Sequence, residues 1–416
     1  MTRLFQRWSV DPVLVGGVLL LSLFGVGMIY SAGVTISPQR VVQVAWIRQA
    51  AWFGIALGAF TVISRIPMRW LEWVAVPAYV LSLVLLAATL VIGTGFGTAA
   101  GTKSSIAIGG FRFQPAEVAK LATVLMLARY LAARGDAPQN LRDLVVPGVL
   151  AALPLGLVLL QPDLGTAQAF VGILFATLFW AGTPVPLLLL LASPVPALIL
   201  AYDTRVWSVY IVVVIAALYL LRYRLYLYES AAVLLANFAA GTIARPLWNS
   251  MPAYQQNRIL VYLDPEVDPR RAGYHIIQSK VAIGNGGIWG KGFTDGTQKR
   301  YDFLPEQHTD FIFSVVGEEL GFVGVMAALL GFAWVMARLV RLAGDSEDPF
   351  AGLVLMGIFG AWLVHIFVNV GMTVGVVPIT GIPLPFVSYG GSFLLMSWVA
   401  VALAVRVAHD DDRAPA

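Results

Sequence analysis

The sequence contains no cysteine, which excludes disulfides, thiolate metal sites and a thiol nucleophile. Charge is scarce as well: Asp, Glu, Lys and Arg make up 12% of 416 residues against 59% hydrophobic residues, and mean hydropathy is +0.80. A chain so poor in charge cannot hide its apolar surface in a water-soluble core. It reads as an all-α polytopic membrane protein, since the alternating strand pattern of a membrane barrel is also missing. The net charge is +4 and the basic residues fall at the ends of apolar runs, which excludes a nucleic-acid-binding stripe. Histidine occurs only at positions 275, 308, 365 and 409, dispersed along the chain, and no zinc-protease helix is present. There is no Gly-x-Ser-x-Gly elbow, and Gly286–Gly292 has neither the spacing nor the hydroxyl residue of a P-loop. Any chemistry must run on carboxylates, hydroxyls, histidine, or a metal held by oxygen and imidazole.

What is present is a succession of apolar runs. Arg3 and Arg7 precede a run from Val13 to about Ile29 that is long enough to span a bilayer and lacks a small-residue cleavage site, so the first helix is retained. Runs of this kind predict a bundle of ten to twelve transmembrane helices. The best count is twelve, at 12–32, 47–64, 73–93, 116–133, 144–160, 165–182, 185–202, 206–221, 229–247, 311–337, 352–376 and 390–407. An even count puts both termini on one side. Arg65 and Arg69, Arg134 and Arg142, Arg222 and Arg224, and Arg338 and Arg341 fall in short loops on that side, which the positive-inside rule makes cytoplasmic. The whole of 1–416 forms one integral membrane domain, and 408–416 is a short cytoplasmic tail with a solvated acidic tract at Asp410–Asp412. On the opposite side lie 94–115, the tight turn Gln161-Pro162-Asp163, 377–389 and one long loop, 248–310. Within that loop Tyr274–Ile283 predicts an amphipathic helix in the interface, packed on the outside of the bundle and followed by glycine turns.

Polar groups gather at the outer edge. Glu306, His308, Thr309 and Asp310 stand just before the apolar run that begins at Phe311. Asp310 there is either a helix N-cap or a working carboxylate at the boundary. Glu318 and Glu319, further along the same run, need partners. In Gln114–Lys120, Pro115 suits a first helical turn, Glu117 favours the helix dipole, and an i,i+3 pair joins Glu117 to Lys120. With Arg112 they form a corner suited to a pyrophosphate. Asp163 reads as the N-cap of the next helix, and His365 and Asn369, one turn apart, as hydrogen-bonding groups between helices.

Six stretches taken together resemble the SEDS family (shape, elongation, division and sporulation), membrane glycosyltransferases that polymerise peptidoglycan. They are Phe113–Lys120, Gln161–Thr166, Gly273–Lys280, Phe303–Phe313, Glu318–Gly321 and Pro383–Ser392, in family order across most of the chain. Tyr274–Lys280 and the glycines of 284–292 resemble the rod-shape branch more than the division branch. The resemblance implies polymerisation of lipid II on the outer face of the bacterial cytoplasmic membrane during elongation, with release of undecaprenyl pyrophosphate. It implies Asp310 as general base, and Arg112, Glu117, Lys120, Asp163, Lys280, Glu306, His308, Ser388 and Tyr389 as groups that bind or orient substrate. It also implies Mg²⁺ or Mn²⁺ at a site including Asp310 and Glu117, and a class B penicillin-binding protein and the elongation machinery as partners.

Three departures stand out. Ser104-Ser105 replaces the family's usual Arg-Trp, and Ala116 its usual serine. The family has ten spans, so the surplus pair falls within 185–247. Two rival functions remain at this point, a lipid II flippase or general transporter, and a non-catalytic scaffold for the penicillin-binding protein. A carrier would show paired halves with ionisable groups near the bilayer midplane, whereas here the polar groups collect at one edge.

Overall fold

The computed structural model describes residues 11–36, 40–95, 103–108, 111–220, 226–264, 272–304 and 306–408. Arg3, Arg7, Arg222, Arg224, His409 and the acidic tract at 410–412 lie outside the described residues, as does Pro305. In chain order the elements are α1 (Pro12–Ala32), the single turn α2 (Arg40–Gln43), α3 (Ala45–Ile63), α4 (Met68–Ile92), the antiparallel hairpin β1 (Ile106–Ile108) and β2 (Phe111–Phe113), and α5 (Pro115–Arg134). Then come α6 (Leu141–Leu160), α7 (Leu164–Trp180), α8 (Val185–Ala192), α9 (Pro194–Leu200), α10 (Thr204–Leu220) and α11 (Leu227–Ser250). The long loop contributes α12 (Ala253–Leu263), α13 (Ala272–Gly286) and α14 (Thr297–Arg300), and the chain ends with α15 (Ile312–Asp345), α16 (Pro349–Val374) and α17 (Gly391–Ala408).

Each of the twelve apolar runs is helical. Among the described residues, eight helices are long and apolar enough to cross a membrane: α1, α3, α4, α6, α11, α15, α16 and α17. The chain is therefore a multi-pass membrane protein. Helix α5 has the length but carries Glu117, Lys120, Arg129 and Arg134. The rest are short: α7 and α10 have 17 residues each, about 26 Å at the usual rise, against a hydrocarbon core of about 30 Å. The 185–202 run is broken at Ser193-Pro194 into α8 and α9. Residues 185–247 thus hold α8 to α11, with a small core of Leu190, Val214 and Val233 separate from the main one.

Helix starts follow local chemistry. Asp11 accepts from the Leu14 amide at 2.7 Å and Pro12 opens α1; Asp348 accepts from Phe350 at 3.1 Å and Pro349 opens α16. Helix α16 is the most deeply buried of the eight, packed among α5, α7, α15 and α17. Its crossing with α7 is backbone to backbone, because a Cβ on Gly172 would lie 2.5 Å from the Gly360 carbonyl oxygen and one on Gly360 2.3 Å from that of Gly172. Trp398 of α17 is fully buried against Phe53 and Phe60 of α3 and donates to Ser22 of α1 at 3.2 Å.

Helix α15 is broken at Gly321, where φ is 63° and ψ −163°. The break would orphan backbone groups, and the strand of chain after α13 satisfies them. The Glu318 and Glu319 carbonyls accept from Lys291 and Gly292 at 3.0 Å each, while the Phe322 and Val323 amides donate to Gly287 and Ile288 at 2.9 and 3.1 Å. Helix α13 packs one face, with Ile276, Ser279 and Ala282 buried, against α15 and α16 and leaves Lys280, Val281, Gly284 and Asn285 exposed. Ser279, fully buried, donates to the Thr373 carbonyl at 2.6 Å and shares a 2.7 Å hydrogen bond with the Ser314 hydroxyl.

Candidate active site

The turn from Glu306 to Phe311 is built by its own backbone and then clamped from two sides. The Glu306 carbonyl accepts from the Thr309 and Phe311 amides at 3.1 and 3.3 Å, and half-buried Glu306 adopts φ 49°. Asn369 on α16 donates its two amide hydrogens to the carbonyls of Asp310 (3.0 Å) and Ile382 (2.8 Å), tying the turn to the irregular segment before α17. Ser388 donates to the Thr309 carbonyl at 2.7 Å and accepts from the Leu384 amide at 2.8 Å; the Tyr389 amide donates to His308 at 2.9 Å. On the other flank Gln307 donates to the Ala32 carbonyl at the end of α1, at 2.9 Å. The N-cap expected of Asp310 is not found: the cap position of α15 is Phe311, whose side chain has no acceptor. Asp310 lies one residue earlier, 6% exposed. His308 packs against Tyr389 with ring centroids 5.5 Å apart, and burial pushes its imidazole down to about 4, so the ring is neutral near pH 7.

A second corner lies where α5 and α7 begin. Asp163 caps α7, accepting from the Thr166 amide at 3.0 Å and hydroxyl at 2.9 Å, and Gln114 at the head of α5 donates to Asp163 at 3.3 Å. Burial raises the Asp163 carboxyl above its usual range, against the opposing pull of the Thr166 bonds and of Lys120 and Arg258. One turn into α5, Lys120 pairs with Glu117 at 2.9 Å, meets the His365 Nε2 at 2.8 Å and lies 5.2 Å from the Phe393 ring centroid. An ammonium only donates, so His365 accepts through Nε2 and its Nδ1–H donates to the Pro383 carbonyl at 2.9 Å. The other expected cations stand elsewhere. Arg112 is exposed on β2, 3.4 Å from the Gly95 carbonyl, and exposed Lys280 lies over the C-terminal end of α16 at Gly375.

Arg258 on α12 was not singled out by motif, and it faces both corners. Its charge acts on Asp310 and Asp163, its Nη1 reaches the Thr380 carbonyl at 3.4 Å, and its guanidinium sits 5.6 Å from the Tyr254 ring. Burial lowers its pKa, opposed first by Asp310, and guanidinium stays protonated regardless. Helix α12 is fastened to the α6–α7 turn by Tyr254 and Gln255, which donate to the Pro162 carbonyl at 3.3 and 3.1 Å. The sequence does carry one signal: Arg258 is the sole charged residue between Arg245 and Asp264. His275 is stacked 5.9 Å from Phe311, and burial and then the charge of Arg258 lower its imidazole below the usual range.

The carboxylates do not make a preformed metal cage. Among the described residues no three His, Asp or Glu side chains converge as metal ligands; Glu117 is engaged by Lys120, and Asp163 by Thr166 and Gln114.

The FtsW/RodA/SpoVE family, described as cell cycle proteins, matches residues 12–413. The chain is 34% identical to the peptidoglycan glycosyltransferase RodA of Treponema pallidum (strain Nichols), over 95% of this chain and 97% of that one. It is 32% identical to the peptidoglycan glycosyltransferase MrdB of Escherichia coli (strain K12), over 97% and 94% respectively. Among solved structures, a chain from a peptidoglycan synthase complex that coordinates polymerization and crosslinking superposes with a TM-score of 0.71 at 29% identity, over 97% of this chain and 99% of that one. The rod shape determining protein RodA of Thermus thermophilus gives 0.63 at 27%, over 97% of each chain. Sequence likeness and helical architecture coincide over nearly the whole length, and the chain belongs to the FtsW/RodA/SpoVE family.

Proposed function

We propose that this protein is a peptidoglycan glycosyltransferase of the rod-shape type, which polymerises lipid II on the outer face of the bacterial cytoplasmic membrane during cell elongation. Both termini are then cytoplasmic. The names of the similar proteins support the reaction, and the observation that carries the site is the clamp on Asp310. Its backbone is held by Asn369, Ser388 and Gln307 through its neighbours, at the end of the bundle, within the field of Arg258. A carboxylate fixed in this way suits a general base.

In the proposed step the acceptor 4-hydroxyl attacks the anomeric carbon of the donor. Its proton passes to Asp310 as the new C–O bond forms. The bond from that carbon to the pyrophosphate oxygen breaks with its electron pair, inverting the α-linked donor to a β-1,4 product and releasing undecaprenyl pyrophosphate. Arg258 is the better placed cation for the leaving group, since Lys120 already carries Glu117 and His365. A divalent cation, Mg²⁺ or Mn²⁺, enters this proposal only as a companion of the substrate pyrophosphate, to which one or two protein carboxylates suffice. The proposed partners are a class B penicillin-binding protein and the elongation machinery; no nucleic acid is involved. A complex uniting polymerization and crosslinking among the similar structures supports the first.

The test is polymerisation of purified lipid II by the full chain with the transpeptidase partner. Asp310→Ala is expected to abolish detectable polymer, and Arg258→Gln to lower kcat about 10²-fold. Polymer formation unchanged by Asp310→Ala would overturn the base assignment, and lipid II translocation without polymer would make the protein a flippase.

A further inference from the structure

Beneath the long loop lies an ion cluster that the reaction does not use. Lys299 on α14 and Glu319 on α15 are both fully buried and form a direct ion pair. Lys299 also donates to the Ser31 carbonyl at 2.6 Å and to its hydroxyl, and the Ser31 hydroxyl reaches the Glu319 carboxylate at 2.7 Å. The neighbouring carboxylate of Glu318 accepts from the Thr297 hydroxyl at 2.9 Å and the Gln298 amide at 2.8 Å, fixing the start of the same short helix. Two further bonds join the end of α1 to this strap: the Ile36 amide to the Arg300 carbonyl at 2.9 Å, and Gln307 to Ala32.

The position of this cluster in the chain matters. Lys299 precedes Asp310 and Glu319 follows it, so the pair closes a loop whose middle carries the proposed base. Asn369 and Ser388 hold that loop from the α16–α17 side; Lys299, Glu319 and Ser31 hold it from the α1 side. A buried ion pair gives little net stability compared with apolar side chains of the same size, because desolvating two charges offsets most of their attraction. Its geometric demand is strict, however: with Glu319 and both oxygens of Ser31 as acceptors, the ammonium has all three of its donors committed. We infer that Lys299 and Glu319 are positioning residues for the transferase reaction, a buried tie that sets the placement of Asp310 by pinning both ends of its loop to α1.

The inference rests on Asp310 being the base, and the experiment separates the two. Lys299→Met/Glu319→Leu removes both charges together, so neither is left buried alone. It is expected to melt near the parent temperature in detergent. Its kcat on lipid II should fall about 10²-fold with KM within twofold, since displacement of a reacting group by about 1 Å has an effect of that size. Amide exchange across residues 306–311 should quicken. A folded double variant with parental kcat and exchange overturns the inference. Should the double variant fail to fold, Ser31→Ala decides: it keeps the ion pair and the bond from Lys299 to the residue 31 carbonyl but removes the hydroxyl that links Lys299 and Glu319 to α1, and a severalfold fall in kcat is expected, whereas parental kcat overturns the inference. Asp310→Ala measured in parallel isolates the underlying assignment: if it polymerises, the base assignment fails; if it is inactive while the tie variants are normal, only the tie fails.

Discussion

His308 sits in the turn that presents Asp310, buried against Tyr389 with its imidazole held near 4. Above pH about 6.5 the ring is neutral in folded and unfolded chains alike, and its contribution to stability is complete. Between about 6.5 and about 4 only the unfolded chain takes up the proton, so acidification through that window removes up to about 3 kcal/mol. His308→Phe keeps an aromatic ring against Tyr389 and cannot titrate. Its melting temperature in detergent is expected to fall less than that of the parent between pH 7 and pH 4.5, and parallel curves would refute the assignment. At this scale the sequence reveals what is local. Asp163 capping Thr166 and the Glu117–Lys120 pair follow from spacing along one helix, whereas Arg258 beside Asp310, His365 beneath Lys120 and Asn369 on the Asp310 carbonyl depend on which helices meet. The cap reading of Asp310 gives way for a local reason, since the turn folds the Thr309 and Phe311 amides back onto the Glu306 carbonyl and places Phe311 at the cap position.

Helices were legible because lipid demands long apolar runs, and every predicted run is helical, although 185–202 divides into α8 and α9 and α15 runs on to Asp345. Breaks inside them were not, because a single glycine in an apolar run is also consistent with close packing. Gly321 is such a case: its φ and ψ fall where only glycine is comfortable, and a Cβ there would lie 2.3 Å from the Gly290 amide nitrogen. Gly321→Ala is expected to cost about 3 kcal/mol, because both strain and a backbone clash must be relieved. A melt beside Gly58→Ala, where a Cβ meets open space, checks this, and equal melting temperatures would show that the break is not fixed by glycine. The same break fastens α13 to the bundle. The chain leaving it is the hydrogen-bonding partner of the broken turn, so α13 must stay against α15.

Over the whole molecule the two ends of the bundle differ in kind. At one end Arg338 pairs with Asp11, Arg134 with Asp143, and Arg406 and Arg129 donate to the carbonyls of Ile66 and Glu72 at 2.8 Å each. The other end collects Asp163, Asp310, Arg258 and the irregular segment before α17. Lys103, Lys280 and Lys291 also lie at that second end, yet they belong to longer connections, which weigh little in orienting a membrane protein. Short connections decide, and Arg65, with Arg69, Arg142 and Arg341 on the helix ends beside such connections, stands at the first end; the proposed orientation makes that end cytoplasmic. Because the chain has no cysteine, single introduced thiols report sidedness without background. Trp289, 80% exposed in the loop after α13, and exposed Asp136 between α5 and α6 lie at opposite ends. Trp289→Cys is expected to react with a membrane-impermeant maleimide in intact cells, and Asp136→Cys only after the membrane is opened. The reverse pattern would place Asp310 in the cytoplasm, where the growing glycan is absent, and the proposed polymerase could not work.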